Sequence, residues 1–212
     1  MKPDRRQDLL TAAMSLFAKK GFRGTTTRDL AYQAGVNEAI IFRHFKTKED
    51  LYSAILEHKA CEHREERSEE LESLLEGSDD VRIFETIARH FLERHEKDTT
   101  FMRLLLFSAL EGHELSDMFF AGMGGRNPIA KYLARRIDEG AFRSVDPELG
   151  SRAFFGMLTS YVLWQEIFGL KKTSVHDREE VVRTFVSIFL SGISRERSER
   201  KPATAQPVTN KE

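Results

Sequence analysis

Residues 25–48, TTTRDLAYQAGVNEAIIFRHFKTK, decide the reading of this chain. Two short amphipathic pieces flank Gly35, a residue free to take the left-handed backbone that a tight turn between helices requires. Ala31 is small enough to let the second piece cross closely. Thr26 is placed to cap the first piece while Asp29, three residues on, returns the bond. Asn37 caps the second, which carries Ile41 and Phe45 on one face. The pattern is a helix-turn-helix, and it makes sequence-specific binding of double-stranded DNA the leading expectation.

Outward from this stretch the apolar residues recur at helical spacing and no alternating strand runs occur, so the chain is read as all-α. A first helix from about Asp4 to Lys20 turns Leu9, Leu10, Ala13, Leu16 and Phe17 to one face and stops at Gly21. A second capping box, Thr47 to Asp50, opens a helix that continues through Leu51, Tyr52 and Ile55 to Leu75, before Gly77. At 1.5 Å per residue it spans about 40 Å and is expected to couple the DNA end to the remainder. Further helices are expected at about 79–97, 99–112, 114–139, 147–169 and 175–195, the third of these broken near Gly122, Gly124, Gly125 and Pro128. The expected organisation is a DNA-binding domain over 1–47, a helical effector-binding and dimerisation domain over 48–195, and a disordered tail over 196–212.

The net charge of −1 hides a division: residues 1–50 carry 10 Lys/Arg against 6 Asp/Glu, and the rest carry 23 against 28. A basic end on an acidic remainder suits a protein that touches a polyanion with one end only. The single cysteine excludes an intramolecular disulfide, and the N-terminal residues lead into an amphipathic helix instead of a secretory signal, so a cytoplasmic location is expected. The most apolar run, Phe154 to Leu170, is interrupted by Gln165 and Glu166 and falls short of a membrane span.

The residues Ala12-Ala13, Leu16-Phe17-Ala18, Gly21-Phe22, Thr25-Thr26-Thr27, Leu30-Ala31, Ala34-Gly35-Val36, Ile41 to Phe45 and Lys48 to Leu51 together resemble the TetR family of transcriptional regulators. Beyond Tyr52 the likeness is one of length, helical content and layout. The resemblance implies about nine helices, a homodimer built on the last two, and repression relieved by a small molecule.

In the second helix of the motif Glu38, Ala39, Phe42 and Arg43 form the exposed face. By resemblance, Arg28, Glu38, Ala39 and Phe42 align with base-facing positions, and Thr27, Ile40 and Lys48 with phosphate-facing ones. Thr26, Asn37 and His44 complete the expected DNA-binding set. Arg28 is the strongest base reader, because a guanidinium can bridge O6 and N7 of guanine. Lys48 opens a helix whose free amides also favour phosphate. The family commonly has tyrosine where Phe42 stands, which replaces a hydroxyl contact by stacking or a thymine-methyl contact.

For an apolar or aromatic effector, Arg103, Phe107, Phe120, Met123, Tyr161 and Trp164 are the expected pocket residues, with His90, Gln165 and Glu166 as further polar groups. For the dimer, Ala153, Gly156 and Ser160 form a small-residue stripe, and Phe185, Ile188, Phe189, Gly192 and Ile193 an apolar face. Twofold symmetry predicts a pseudo-palindromic operator with recognition helices about 34–36 Å apart, or more. No nucleophile–base pattern, cofactor motif or metal set is read: Gly122-Met123-Gly124-Gly125 lacks the Lys-Ser/Thr of a phosphate loop, and His58, Cys61 and Glu62 are a weak sensor constellation in a charged helix. The alternative is a DNA-bound adaptor of the same fold that acts through a protein partner and senses no ligand.

Overall fold

The computed structural model describes residues 5–65, 69–112, 127–174 and 176–194, with the backbone alone at 56, 59–65 and 69–72. The helices are α1 (Arg5–Lys20), α2 (Thr27–Ala34), α3 (Glu38–His44), α4 (Lys48–Glu65), α5 (Glu69–Glu76), α6 (Asp80–Lys97), α7 (Thr100–Leu110), α8 (Pro128–Asp138), α9 (Pro147–Val162) and α10 (Arg178–Ile193). No strand occurs among the described residues beyond one isolated bridge, Phe142 to Ser194. The expected break near Gly122 to Gly125 and the tail lie outside the described residues, as do residues 66–68 within the expected long helix.

Local chemistry explains the boundaries. Thr26 accepts from the Asp29 amide at 3.1 Å while the Asp29 carboxylate accepts from the Thr26 amide at 3.1 Å. Thr47 and Asp50 exchange the same pair of bonds at 3.0 and 3.1 Å. Asp146 accepts from the Leu149 amide ahead of Pro147, which opens α9 as a first-turn proline should. Gly35 adopts φ +64°, and the turn it makes is what lets α3 cross α2.

Two hydrophobic cores form. The smaller gathers Leu9, Leu10, Phe17, Leu30, Ile41 and Phe45 from α1–α3 with Leu51, Tyr52 and Ile55 from α4. It also takes Phe101 and Leu104 from α7. The larger is centred on Phe84, whose ring lies 4.9 Å from Phe154 and 5.0 Å from Phe189. Met102, on the other side of α7, belongs to this second core. One helix therefore contributes to both, and the head made by α1–α3 has no clean boundary at residue 47. The expectation that α4 joins the two ends thus needs a companion: α7 is wedged between them.

Around the larger core, ion pairs fix the helices of the body. Arg136 grips Asp80 with two bonds of 2.9 Å, and Arg178 reaches Glu93 and Glu96 from α10 to α6. Arg135 donates to the carbonyls of Leu75, Glu76 and Gly77, satisfying groups that the end of α5 leaves open. After α9 the chain makes a π turn, Leu163–Ile167, closed by the Phe168 amide on the Leu163 carbonyl at 2.9 Å.

Candidate nucleic-acid interface

The head presents one face whose side chains are not consumed by its own fold. Arg28 is 90% exposed, 4.0 Å from Glu38. Tyr32, one turn further along α2 on the same face, is 88% exposed. Across the turn, Ala39, Arg43 and His44 are exposed and Phe42 is 48% exposed. Phe42 is thus a surface ring and not part of the small core that Ile41 and Phe45 fill.

Other expected contacts are already occupied. Thr26 and Asn37 spend their side-chain oxygens on capping, Asn37 accepting from the Ile40 amide at 3.1 Å. Ile40 is half-buried against the head core. Thr27 donates to Glu38 at 2.6 Å, so Glu38 bridges α2 and α3 instead of standing free in front of a base. The Lys48 ammonium donates to the carbonyls of Phe22 and Thr25 at 2.7 and 2.9 Å and lies 4.0 Å from the Phe22 ring centroid. It closes the loop after α1, with one of its three donors left over. Tyr32 was missed in the sequence, although it stands four residues after Arg28, a spacing that puts both on one side of a helix.

The expected effector and dimer residues separate in the structure. Phe120 and Met123 lie outside the described residues. Arg103 does not enter the body core; with Lys19, Asp98, Thr99 and Thr100 it lines a cleft of about 540 Å³ between α1 and the start of α7. Phe107 packs at Gly21 in the head, where an added Cβ would lie 2.9 Å from its ring. Trp164, expected in the pocket, is 55% exposed, its ring 5.2 Å from that of Phe168, which is also exposed. Tyr161 is half-buried, edge-on to Phe185 at 5.8 Å.

On α9 the expected stripe is open: Ala153, Gly156 and Ser160 are exposed, and on α10 so are Ile188 and Gly192. A Cβ added at Gly156 or Gly192 would meet nothing within 4 Å. Phe189 and Ile193, in contrast, are buried in the chain's own core. The apolar face of α10 is two faces, one inward and one outward, which spacing alone had merged.

His95, Gln165 and Ser151 are buried polar groups among the described residues of the body. His95 carries its proton on Nδ1, since it lies 2.8 Å from the Phe91 carbonyl, which can only accept. Burial lowers its pKa from the ordinary imidazole value, outweighing that bond, so the ring is held neutral. Gln165 continues the inward face of α9 and is 6% exposed; Ser151 accepts from Asn127 at 2.8 Å. His58 lies 3.2 Å from Gln7, while the Cys61 and Glu62 side chains lie outside the described residues. Among the described residues no helix is long and apolar enough to cross a membrane.

Comparison with known proteins places this geometry. Residues 9–55 match the model of bacterial regulatory proteins of the tetR family, and residues 83–192 that of the AefR-like transcriptional repressor C-terminal domain. The chain belongs to the TetR family. It is a DNA-binding transcriptional regulator of that type, and α2 and α3 lie within the matched N-terminal segment. This regulator is similar to the HTH-type transcriptional regulator YvkB of Bacillus subtilis, 28% identical over 92% of this chain and 99% of that one. Its fold is that of FadR from Bacillus subtilis, solved with stearoyl-CoA (TM-score 0.69, 20% identity, 88% of this chain and 98% of that one). It is also that of AibR, solved with isovaleryl coenzyme A and operator DNA (TM-score 0.67, 19% identity, 87% and 97%).

Proposed function

We propose that this regulator is a homodimeric repressor that holds a pseudo-palindromic operator and is released from it by a small molecule with an apolar acyl or aromatic part. The carrying observation is the α2–α3 face: Arg28, Tyr32, Ala39, Phe42 and Arg43 stand exposed while the capping and bridging side chains around them are tied down. Arg28 reads a guanine, Phe42 meets a thymine methyl or stacks, and Tyr32 with the remaining Lys48 donor holds phosphate. Glu38 orients Thr27 and Arg28, and its charge keeps phosphates away from the reading edge.

Dimerisation uses the outward faces of α9 and α10, where Gly156, Ser160, Ile188 and Gly192 leave room for a second copy, and Trp164 and Phe168 extend the apolar surface. The effector is taken by the body, whose buried aromatic rings offer apolar contact and whose neutral His95 and buried Gln165 favour an uncharged polar group over a free carboxylate. The acyl-CoA ligands of the FadR and AibR structures suggest a thioester as the first class to try.

The test is release of a preformed operator complex by acyl-CoA thioesters of several chain lengths, against coenzyme A and the free acids. Release by thioesters alone supports the reading. Operator binding that no member of an acyl and aromatic panel alters would favour the adaptor reading, in which a protein partner replaces the effector.

A further inference from the structure

Glu111 stands where helix energetics disfavour it. It is the C-terminal cap residue of α7, and a carboxylate there faces the negative end of the helix dipole. Its side chain reaches across to the head instead. One oxygen accepts from the Phe22 amide at 3.0 Å, and both accept from the Arg23 amide at 3.2 and 3.3 Å. The Arg23 guanidinium returns a bond to the Glu111 carbonyl at 3.1 Å. These amides belong to the loop between α1 and α2, so their partner sets where the reading face begins.

Gly21 makes the approach possible. Its φ is +73°, and a Cβ there would lie 2.4 Å from Glu111 Oε1 and 2.9 Å from the Phe107 ring. The residue that ends α1 thus also leaves space for a carboxylate from 90 positions away in the chain. On the far side of the same loop Lys48 holds the carbonyls of Phe22 and Thr25. Phe22 is therefore bonded at its amide by the body and at its carbonyl by α4. Two turns back along α7, the buried Tyr52 hydroxyl donates to the Leu104 carbonyl at 2.8 Å. Burial, then the nearby Glu111 charge, push its pKa up to about 12, which keeps the donor protonated.

From this geometry we infer that Glu111 is a positioning residue for DNA reading: its tie to the Phe22–Arg23 loop sets the angle of the head on α7, and through it the half-site spacing that a dimer accepts. The inference rests on the dimeric operator-binding reading above and assigns the spacing control of that same surface. A head held at both ends of Phe22 tolerates little rotation. One extra base pair turns the second half-site by roughly 36° and moves it by about 3.4 Å, more than a fixed head can follow. With the tie removed, the head keeps its packing on Phe101 and Leu104 but can tilt about that contact with α7.

The experiment uses the full chain and compares wild type with Glu111→Ala and Glu111→Gln, the latter keeping the shape and one acceptor. Amide hydrogen exchange should show Phe22 and Arg23 exchanging about tenfold faster in Glu111→Ala, with the α2 and α3 amides unchanged as proof that the head is folded. Operators whose half-sites are moved by one or two base pairs should cost wild type about tenfold or more in affinity. Glu111→Ala should lose most of that discrimination, and Glu111→Gln should fall between. A merely structural role would lower affinity for every spacing alike, and that result would overturn the inference. So would unchanged exchange at Phe22 and Arg23. If wild type itself prefers no inverted repeat, the dimeric reading fails, and this inference fails with it.

Discussion

The head and the body are both helical and both packed around phenylalanines, yet they use sequence differently. In the head the side chains that cap and bridge its helices find partners within eleven residues: Thr26 with Asp29, Asn37 with Ile40, Thr47 with Asp50, Thr27 with Glu38. In the body the decisive polar contacts join helices far apart in the chain, as between Arg136 and Asp80 or Arg178 and Glu96. A surface built from local rules can keep its shape while its exposed residues vary, which suits a reading head. A core built from distant partners can vary its lining, which suits a sensor. The joint is α7, which belongs to both cores.

If the two regions were independent, a cut in one core would spare the other. Phe84→Ala removes the ring between Phe154 and Phe189 and should cost about 3–5 kcal/mol of stability. Because Phe101, Leu104 and Met102 tie α7 to both cores, the whole chain should melt in one transition. A separate, unshifted head transition by calorimetry would break this picture and restore a boundary near residue 47.

The reading surface sharpens the contrast from the other side. Arg28→Ala touches neither core and should leave the melting temperature unchanged, while weakening operator binding by about 1–3 kcal/mol relative to random DNA. Equal loss on both DNAs in a competition assay would reduce Arg28 to a phosphate contact. Thr26→Ala should cost the head about 1 kcal/mol through its lost cap, read in chemical denaturation.

The smallest effect lies in the body. His95 has a folded pKa below its unfolded value, so below about pH 6.5 the unfolded chain binds the proton more readily and stability is lost as pH falls through that range. His95→Gln should flatten this part of the stability–pH curve. A curve of unchanged slope between pH 7 and 5.5 would mean that the ring is not held neutral.

The same contrast explains what could be read in advance. Caps, turn glycine and the exposed side of α3 were legible because each depends on residues three to eleven positions apart. The starts of α9 and α10 were legible for the same reason, whereas the expected end of α9 near 169 was not, since the α-helix stops at Val162. Phe189 was not, because a helix with apolar residues on two sides does not say which side meets its own core. Trp164 was not, because aromatic content marks no face and the π turn at Leu163–Ile167 shifts the register with no apolar signal. Glu111 was invisible, since its partners Phe22 and Arg23 are joined to it only by the fold.

The central claim is that the α2–α3 face reads DNA by sequence, and the most direct test is binding of the purified chain to DNA flanking its own gene, against random DNA, across a salt series. The account predicts tight binding centred on an inverted repeat, a steep loss with salt, and a preference over random DNA that persists at each salt concentration. Binding of equal strength to both DNAs at every salt concentration would contradict it.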